Sequence, residues 1–209
     1  MKILNFGTFY INAKKDRKPI KWHVADEDDK TLLLIAKESV VSSPFDGDTP
    51  FWDKSDIRKW LNEEFLNEAF NINEKACIQT SNIATTYFPE NVWEGGDERY
   101  IETEDKIFLL SAEEVEKYFP AKTSRIQEQN DYVIHTLEPD RKLTNAWWLR
   151  NPGLCDEAAM LVLEDGSFYS FGAYVVLNEG VRPALRILKE QYCQLPLEGQ
   201  LSLFDECVE

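Results

Sequence analysis

The chain has 209 residues, the length of one large domain or of one domain with a tail, and a compact domain of this size buries roughly 70% of the surface its unfolded chain exposes. Its 43% hydrophobic and 12% aromatic content is that of a globular protein and excludes a disordered, collagenous or repeat composition. The 38 acidic and 23 basic residues give a formal net charge of -15, a field that repels phosphate backbones and argues against direct nucleic-acid binding through a broad basic face.

In the opening, Phe6 to Ile11, Ile20 to Ala25 and Thr31 to Lys37 read as three short strands, with Asp26, Glu27, Asp28 and Asp29 turning between the last two. Ile20, Trp22 and Val24 alternate with Lys21 and His23, the period of a half-buried strand, so His23 is expected to face outward. In WDKSDIRKWLNEEFLNEAF, the residues Ile57, Trp60, Leu61, Phe65 and Ala69 fall at helical spacing, and Ser55 stands where an N-cap oxygen accepts the first free N–H groups. A buried strand is predicted in DKIFLLS, then a second helix in SAEEVEKYF, where Ser111 and Glu114 have capping-box spacing. Thr80 to Glu104 and Ala121 to Asn145 read as long surface loops, which in compact domains are often where binding happens. The runs AWWLR, AAMLVLEDGSFYSF, AYVVLNEG and VRPALRIL follow as strands, with Asp165-Gly166 as a two-residue hairpin turn. Strands, helix, strand, helix and a strand-rich end indicate an α+β fold with a mostly antiparallel sheet, two main helices and long loops.

The segments GTF (7–9), PIKWHV (19–24), LLLIAK (32–37), SDIRKWLNEEF (55–65), DKIFLLSAEEV (105–115), WWLRNPG (147–153) and GVRPALRI (180–187) form a series. That series resembles a bacterial and phage domain family of unknown function whose signature is WWLR followed by GVRPAL. The C-terminal part also resembles C-type-lectin-like domains, among them the formylglycine-generating-enzyme type and the variable proteins of diversity-generating retroelements. The resemblance implies a C-type-lectin-like domain over residues 1–190, with the strands and loops after the tryptophan motif displaying a ligand-binding surface. On that surface Tyr169, Phe171, Tyr174 and Asn178 are the candidate ligand-binding residues.

In a strand, Trp147 and Leu149 point to one face while Trp148 and Arg150 point to the other, so at most part of the motif is expected in a single core. One of the two tryptophans is the expected anchor, since such a side chain buries some 150–250 Å². Arg150 and Arg182 are expected to tie loops to the sheet, because a buried guanidinium must pair with carboxylates or carbonyls. These four residues read as structural and not as catalytic.

No chemistry-bearing motif emerges. Only His23 and His135 are available for base chemistry, and neither has a neighbouring nucleophile motif. EGGDE lacks the spacing and the Lys-Ser/Thr of a phosphate loop, and DEDD at 26–29 lacks the Gly and distal Glu of an EF-hand. The tripeptide EPD at 138–140 has no companion Trp-Asn-Asp, so a calcium-dependent lectin is not indicated. Cys77, Cys155, Cys193 and Cys207 lie far apart without metal-ligand spacing, which predicts reduced thiols, no metal and no cofactor. The start MKILNFGTFY has no leader-like pattern, and no apolar run approaches the ~18 residues of a membrane span. A soluble, cytoplasmic, non-enzymatic protein is expected.

Residues 191–209 read as a tail. Within it Gln200, Leu201, Ser202, Leu203 and Phe204 resemble the peptide by which bacterial replication and repair proteins dock on the sliding clamp: three apolar anchors for a preformed pocket and a glutamine for its edge. Two functions follow from the sequence. One is a recognition module that binds a protein or small ligand through its long loops and C-terminal strands, with the clamp as a candidate partner. The alternative is an acidic DNA mimic that inhibits a bacterial nucleic-acid-binding or defence protein.

Overall fold

The computed structural model describes residues 1–10, 16–87, 99–127 and 145–195. Strands β1 (Ile3–Tyr10), β2 (Arg17–Glu27) and β3 (Thr31–Ala36) form an antiparallel meander, pairing Leu4 with Trp22 and Trp22 with Ala36. The alternation in β2 puts Ile20 and Trp22 inside and Lys21 outside, whereas all six residues of β3 are buried because both of its faces are covered. Between β2 and β3 the Asp28 carboxylate accepts from the N–H groups of Lys30 and Thr31 and from the Thr31 hydroxyl. Those bonds hold its pKa down at about 2.

The helical region begins after a 3₁₀ turn at Trp52–Lys54 and runs as α1 (Asp56–Trp60), a π-helical turn (Leu61–Phe65) and α2 (Leu66–Ala69). Ser55 caps it, its Oγ accepting from Arg58 N–H, and Ile57, Leu61, Phe65 and Ala69 are buried while Trp60 is half-buried. Asn62 sits in the π turn. Its Oδ1 accepts from Lys106 and Ile107 N–H at 2.9 and 3.1 Å, and its Nδ2 donates to the Ile107 carbonyl at 2.8 Å. The widened turn is thereby bonded to a strand edge, the kind of backbone irregularity that a local side-chain partner sustains. Helix α3 (Ile72–Cys77) follows, with Asn71 and Glu74 forming a capping box.

Strands β5 (Ile78–Gln79), β6 (Ser81–Tyr87), β7 (Arg99–Asp105) and β8 (Ile107–Phe108) come next, then α4 (Ala112–Tyr118) and α5 (Lys122–Arg125). The long loop expected over Thr80 to Glu104 is corrected here: β6 and β7 pair antiparallel from Ser81↔Asp105 to Tyr87↔Arg99. Buried Ser81, Ile83 and Thr85 alternate with exposed Asn82 and Ala84, a strand period that polar composition conceals. The other expected loop begins with α5, and most of it lies outside the described residues.

The C-terminal half supplies β9 (Trp147–Pro152), β10 (Ala158–Val162), β11 (Phe168–Tyr174), β12 (Glu179–Val181), β13 (Ala184–Leu188) and α6 (Lys189–Cys193). With β4 (Val41–Ser43) these build a five-stranded sheet ordered β11-β10-β9-β12-β4, in which only the β9–β12 pairing is parallel. β13 goes instead to the first sheet, where it pairs antiparallel with β3 on one side and with β5 and β8 on the other. Early and late chain segments therefore share one sheet, and the helical region packs on it, with Phe65 of the π turn 5.0 Å from the Phe9 ring.

Two further readings are corrected. The hairpin between β10 and β11 turns through three residues, Glu164, Asp165 and Gly166. Gly166 is at φ 81°, and Leu163 N–H bonds to Ser167 O, so the glycine serves a bulged loop and not a two-residue turn. AYVVLNEG is not one strand: β11 ends at Tyr174, Leu177 N–H closes a turn on the Tyr174 carbonyl, and β12 starts at Glu179. Helix α6 carries Tyr192 back into the core 5.9 Å from Phe6, so the folded body reaches past residue 190. The result is a strand-rich α+β architecture around one core.

Candidate functional site

β9 is the fixed point. Trp147, Trp148, Leu149 and Arg150 are all buried, which corrects the expectation that only part of the motif is core: both faces of this strand are covered. Trp147 Nε1 donates to the Arg125 carbonyl at 3.2 Å and Trp148 Nε1 to the Ser43 carbonyl at 2.9 Å. Phe45 packs edge-on against Trp148 with centroids 5.7 Å apart. The Arg150 guanidinium donates to Thr85 Oγ1 at 3.1 Å, to the carbonyls of Leu109 and Ala84 at 2.8 and 2.9 Å, and to the Glu114 carboxylate. Glu114 also closes the α4 capping box on Ser111, so one carboxylate joins a helix start to the sheet. These are the partners a buried guanidinium needs.

From this anchor β10 leads to β11, the edge of the sheet among the described residues. Tyr169, Phe171 and Tyr174 are exposed, Phe171 by 58% and Tyr174 by 61%, and the Tyr169 and Phe171 rings lie 6.4 Å apart. Asn178 is half-buried in the turn that follows, where Val176 and Leu177 add exposed apolar surface. Leu154, from the β9–β10 loop, is exposed too, and its N–H bonds to the Ser170 carbonyl at 3.0 Å.

Glycines set the shape of this edge. Gly172 is at φ 83° where the β10–β11 register slips, and a Cβ there would lie 2.8 Å from the Ala159 carbonyl; one on Gly153 would lie 2.5 Å from the Phe171 carbonyl. The bulge therefore needs glycine on both sides of the contact.

A second feature went unread in the sequence. His23 does not face solvent: it is half-buried, with its ring edge-on to Phe119 at 5.8 Å, because the 119–127 segment crosses the outer face of β2. Burial and then the positive charges of Arg182 and Lys37 lower its pKa to about 4, so the ring is neutral at pH 7. Arg182, buried, lies between the Phe119 and Trp147 rings at 4.7 and 4.9 Å and donates from Nε to the Ala36 carbonyl at 2.7 Å. Desolvation lowers its pKa to about 10. Only the pairing of His23 and Arg182 across a shared aromatic would have signalled this place, and they are 159 positions apart in the chain, by their numbers.

The structure thus brings Trp147 and Arg182 together, holds Trp148 and Arg150 on the opposite face of the same strand, and sets Tyr169, Phe171 and Tyr174 on an edge two strands away. Gln200, Leu201, Ser202, Leu203 and Phe204 lie outside the described residues, as do His135 and the tripeptide at 138–140. Among the described residues, no group of three His, Cys, Asp or Glu side chains is placed to hold a metal ion, and no helix is long and apolar enough to cross a membrane.

Residues 29–189 match the family described as a domain of unknown function, DUF6273. The chain belongs to that family. The matched span runs from the β2–β3 turn to the first residue of α6, so it contains the β9 anchor, the exposed β11 edge and the β3–β13 pairing. Comparison with curated proteins and with solved structures gives no match.

Proposed function

We propose that this protein is a non-enzymatic recognition module of C-type-lectin-like architecture that grips a protein partner through β11 and the turn after it. One observation carries the reading: of the eleven large apolar side chains exposed among the described residues, six (Leu154, Tyr169, Phe171, Tyr174, Val176 and Leu177) come from one stretch of 24 residues. Clustered aromatic exposure on a rigid support is what partner anchors require, and an exposed sheet edge without such a role invites aggregation. The sequence supports a binder over an enzyme, since it offers no nucleophile motif and no phosphate loop.

The test is the triple variant Tyr169→Ser, Phe171→Ser, Tyr174→Ser. It should keep the wild-type melting temperature while losing the partner captured from a bacterial lysate. Capture unchanged by the triple variant would overturn the reading. Capture that weakens steeply with salt and is indifferent to these residues would favour the acidic DNA mimic.

The tail adds a second contact to the proposal. A peptide of residues 197–207 should bind the bacterial sliding clamp in a fluorescence titration with micromolar affinity, about 8 kcal/mol of binding free energy. The double change Leu203→Ala, Phe204→Ala should abolish it. A peptide that fails to bind removes the clamp from the proposal and leaves the β11 surface standing.

A further inference from the structure

A cavity of about 730 Å³ opens between the outer face of β2 and the segment that follows α4, lined by His23, Lys37, Phe119, Ile126, Gln127 and Arg182 among others. We propose that this cavity binds a small molecule carrying an oxyanion, a carboxylate or a phosphate, on a compact apolar body.

Two cations, Arg182 and Lys37, stand in its wall. Arg182 is buried, yet its partners are two carbonyls and two rings, and no carboxylate among the described residues forms an ion pair with it. A desolvated guanidinium without an anion is a place where an anion is stabilised strongly, because the cost of burying the cation has already been met by the fold. Lys37 adds a second cation at the rim. Glu38, the one carboxylate of the lining, lies 3.7 Å from the Lys37 ammonium.

His23 lines the same cavity. Its Nδ1 is enclosed and has no hydrogen-bond partner. Gln127 is likewise buried, with Nε2 on Ser39 Oγ at 2.7 Å and Oε1 unpartnered. Phe119 and Ile126 supply the apolar wall. In a chain of net charge -15, two cations gathered at one concavity select for a bound anion over a bound cation.

The two histidines of the chain make the test direct, because imidazole resonances of His23 and His135 are the only ones in a ¹H–¹⁵N spectrum of the full-length protein. Sodium benzoate, sodium phosphate, sodium chloride and neutral benzamide are titrated at constant ionic strength, with His23→Gln assigning the signals. Saturable shifts of the His23 ring with benzoate or phosphate are expected. Benzoate alone saturating identifies an aromatic carboxylate, phosphate alone a phosphate group. Lys37→Gln, an exposed position, should weaken the affinity about threefold, and Arg182→Met should remove it. If Arg182→Met does not fold, Lys37→Gln decides. Shifts that rise linearly and equally for all four solutes, equal saturation by benzamide, or saturation indifferent to Lys37→Gln would overturn the proposal.

Discussion

Strands β9 and β11 belong to one sheet with a single strand between them, and they are opposite in every respect that matters to folding and binding. β9 is covered on both faces and each of its polar side chains has a fixed partner, whereas β11 is the sheet edge and presents aromatic rings to water. The two also differ in what sequence pattern can reveal. A strand buried on both faces reads as a continuous apolar run, as in parallel sheets. An edge strand such as FYSFGAY is likewise rich in aromatic residues, so aromatic content alone does not tell the anchor from the surface it supports. Neighbours do: Arg125 covers Trp147 through its carbonyl, while nothing among the described residues lies over Phe171 to the same degree.

The contrast breaks most visibly at the anchor. Trp148→Ala should cost about 3–5 kcal/mol, the usual effect of emptying a buried aromatic site, read as a lower urea midpoint. An unchanged midpoint would show that the ring is not core. Arg150→Met should cost about 3 kcal/mol, because it strands the Glu114 carboxylate and the carbonyls of Leu109 and Ala84. Restoring the wild-type midpoint with a second change, Glu114→Gln, would locate the loss in the stranded charge.

His23 gives a smaller, pH-dependent effect. Its pKa in the folded chain, about 4, lies below the ordinary value of 6.5, so the native state binds fewer protons than the unfolded one between those values. Stability is therefore full above pH 6.5 and falls as the pH drops toward 4, by on the order of 1–2 kcal/mol for a half-buried ring. Urea midpoints at pH 7.5 and 5 should differ less in His23→Gln than in wild type. Equal differences in the two proteins would mean that His23 is solvated.

The smallest effect on stability belongs to β11. Tyr169→Ser and Phe171→Ser should each shift stability by no more than about 0.5 kcal/mol, as surface changes do. A large loss in either would turn the edge into a second anchor and remove its availability to a partner.

Much of the fold was legible where local rules govern. Ser55, Ser111 and Glu114 marked helix starts because capping depends on a few adjacent residues, and Ile20, Trp22 and Val24 marked β2 by their period. The β6–β7 hairpin was missed because its inward residues include the polar Ser81, Thr85, Thr103 and Asp105: Thr85 accepts from Arg150 Nε, and Thr103 and Asp105 bond each other, with Trp52 and Arg58 also on Asp105. Asp105 accepts from Thr103 Oγ1 at 2.6 Å, Trp52 Nε1 at 2.9 Å and Arg58 Nε at 2.7 Å. No local pattern encodes partners 47 and 53 residues away. The His23 cavity was missed for the same reason: the wall over His23 comes from a segment about a hundred residues later. The β11 candidates were named from resemblance, and their exposure is visible only once the sheet order makes that strand an edge.

The place of β13 bears on how the chain is made. This strand lies between β3 on one side and β5 and β8 on the other, although it occupies residues 184–188. During synthesis β1 to β3 must wait, with one edge of β3 unpaired, while nearly 150 more residues leave the ribosome before β13 does; at roughly 5–20 residues per second that is on the order of ten seconds. Pairings of such long sequence separation also close slowly once all the parts are present. The nascent chain is thus exposed to association through β3 for most of its translation, and a holding chaperone that covers extended apolar segments should raise its soluble yield more than one that acts only after release.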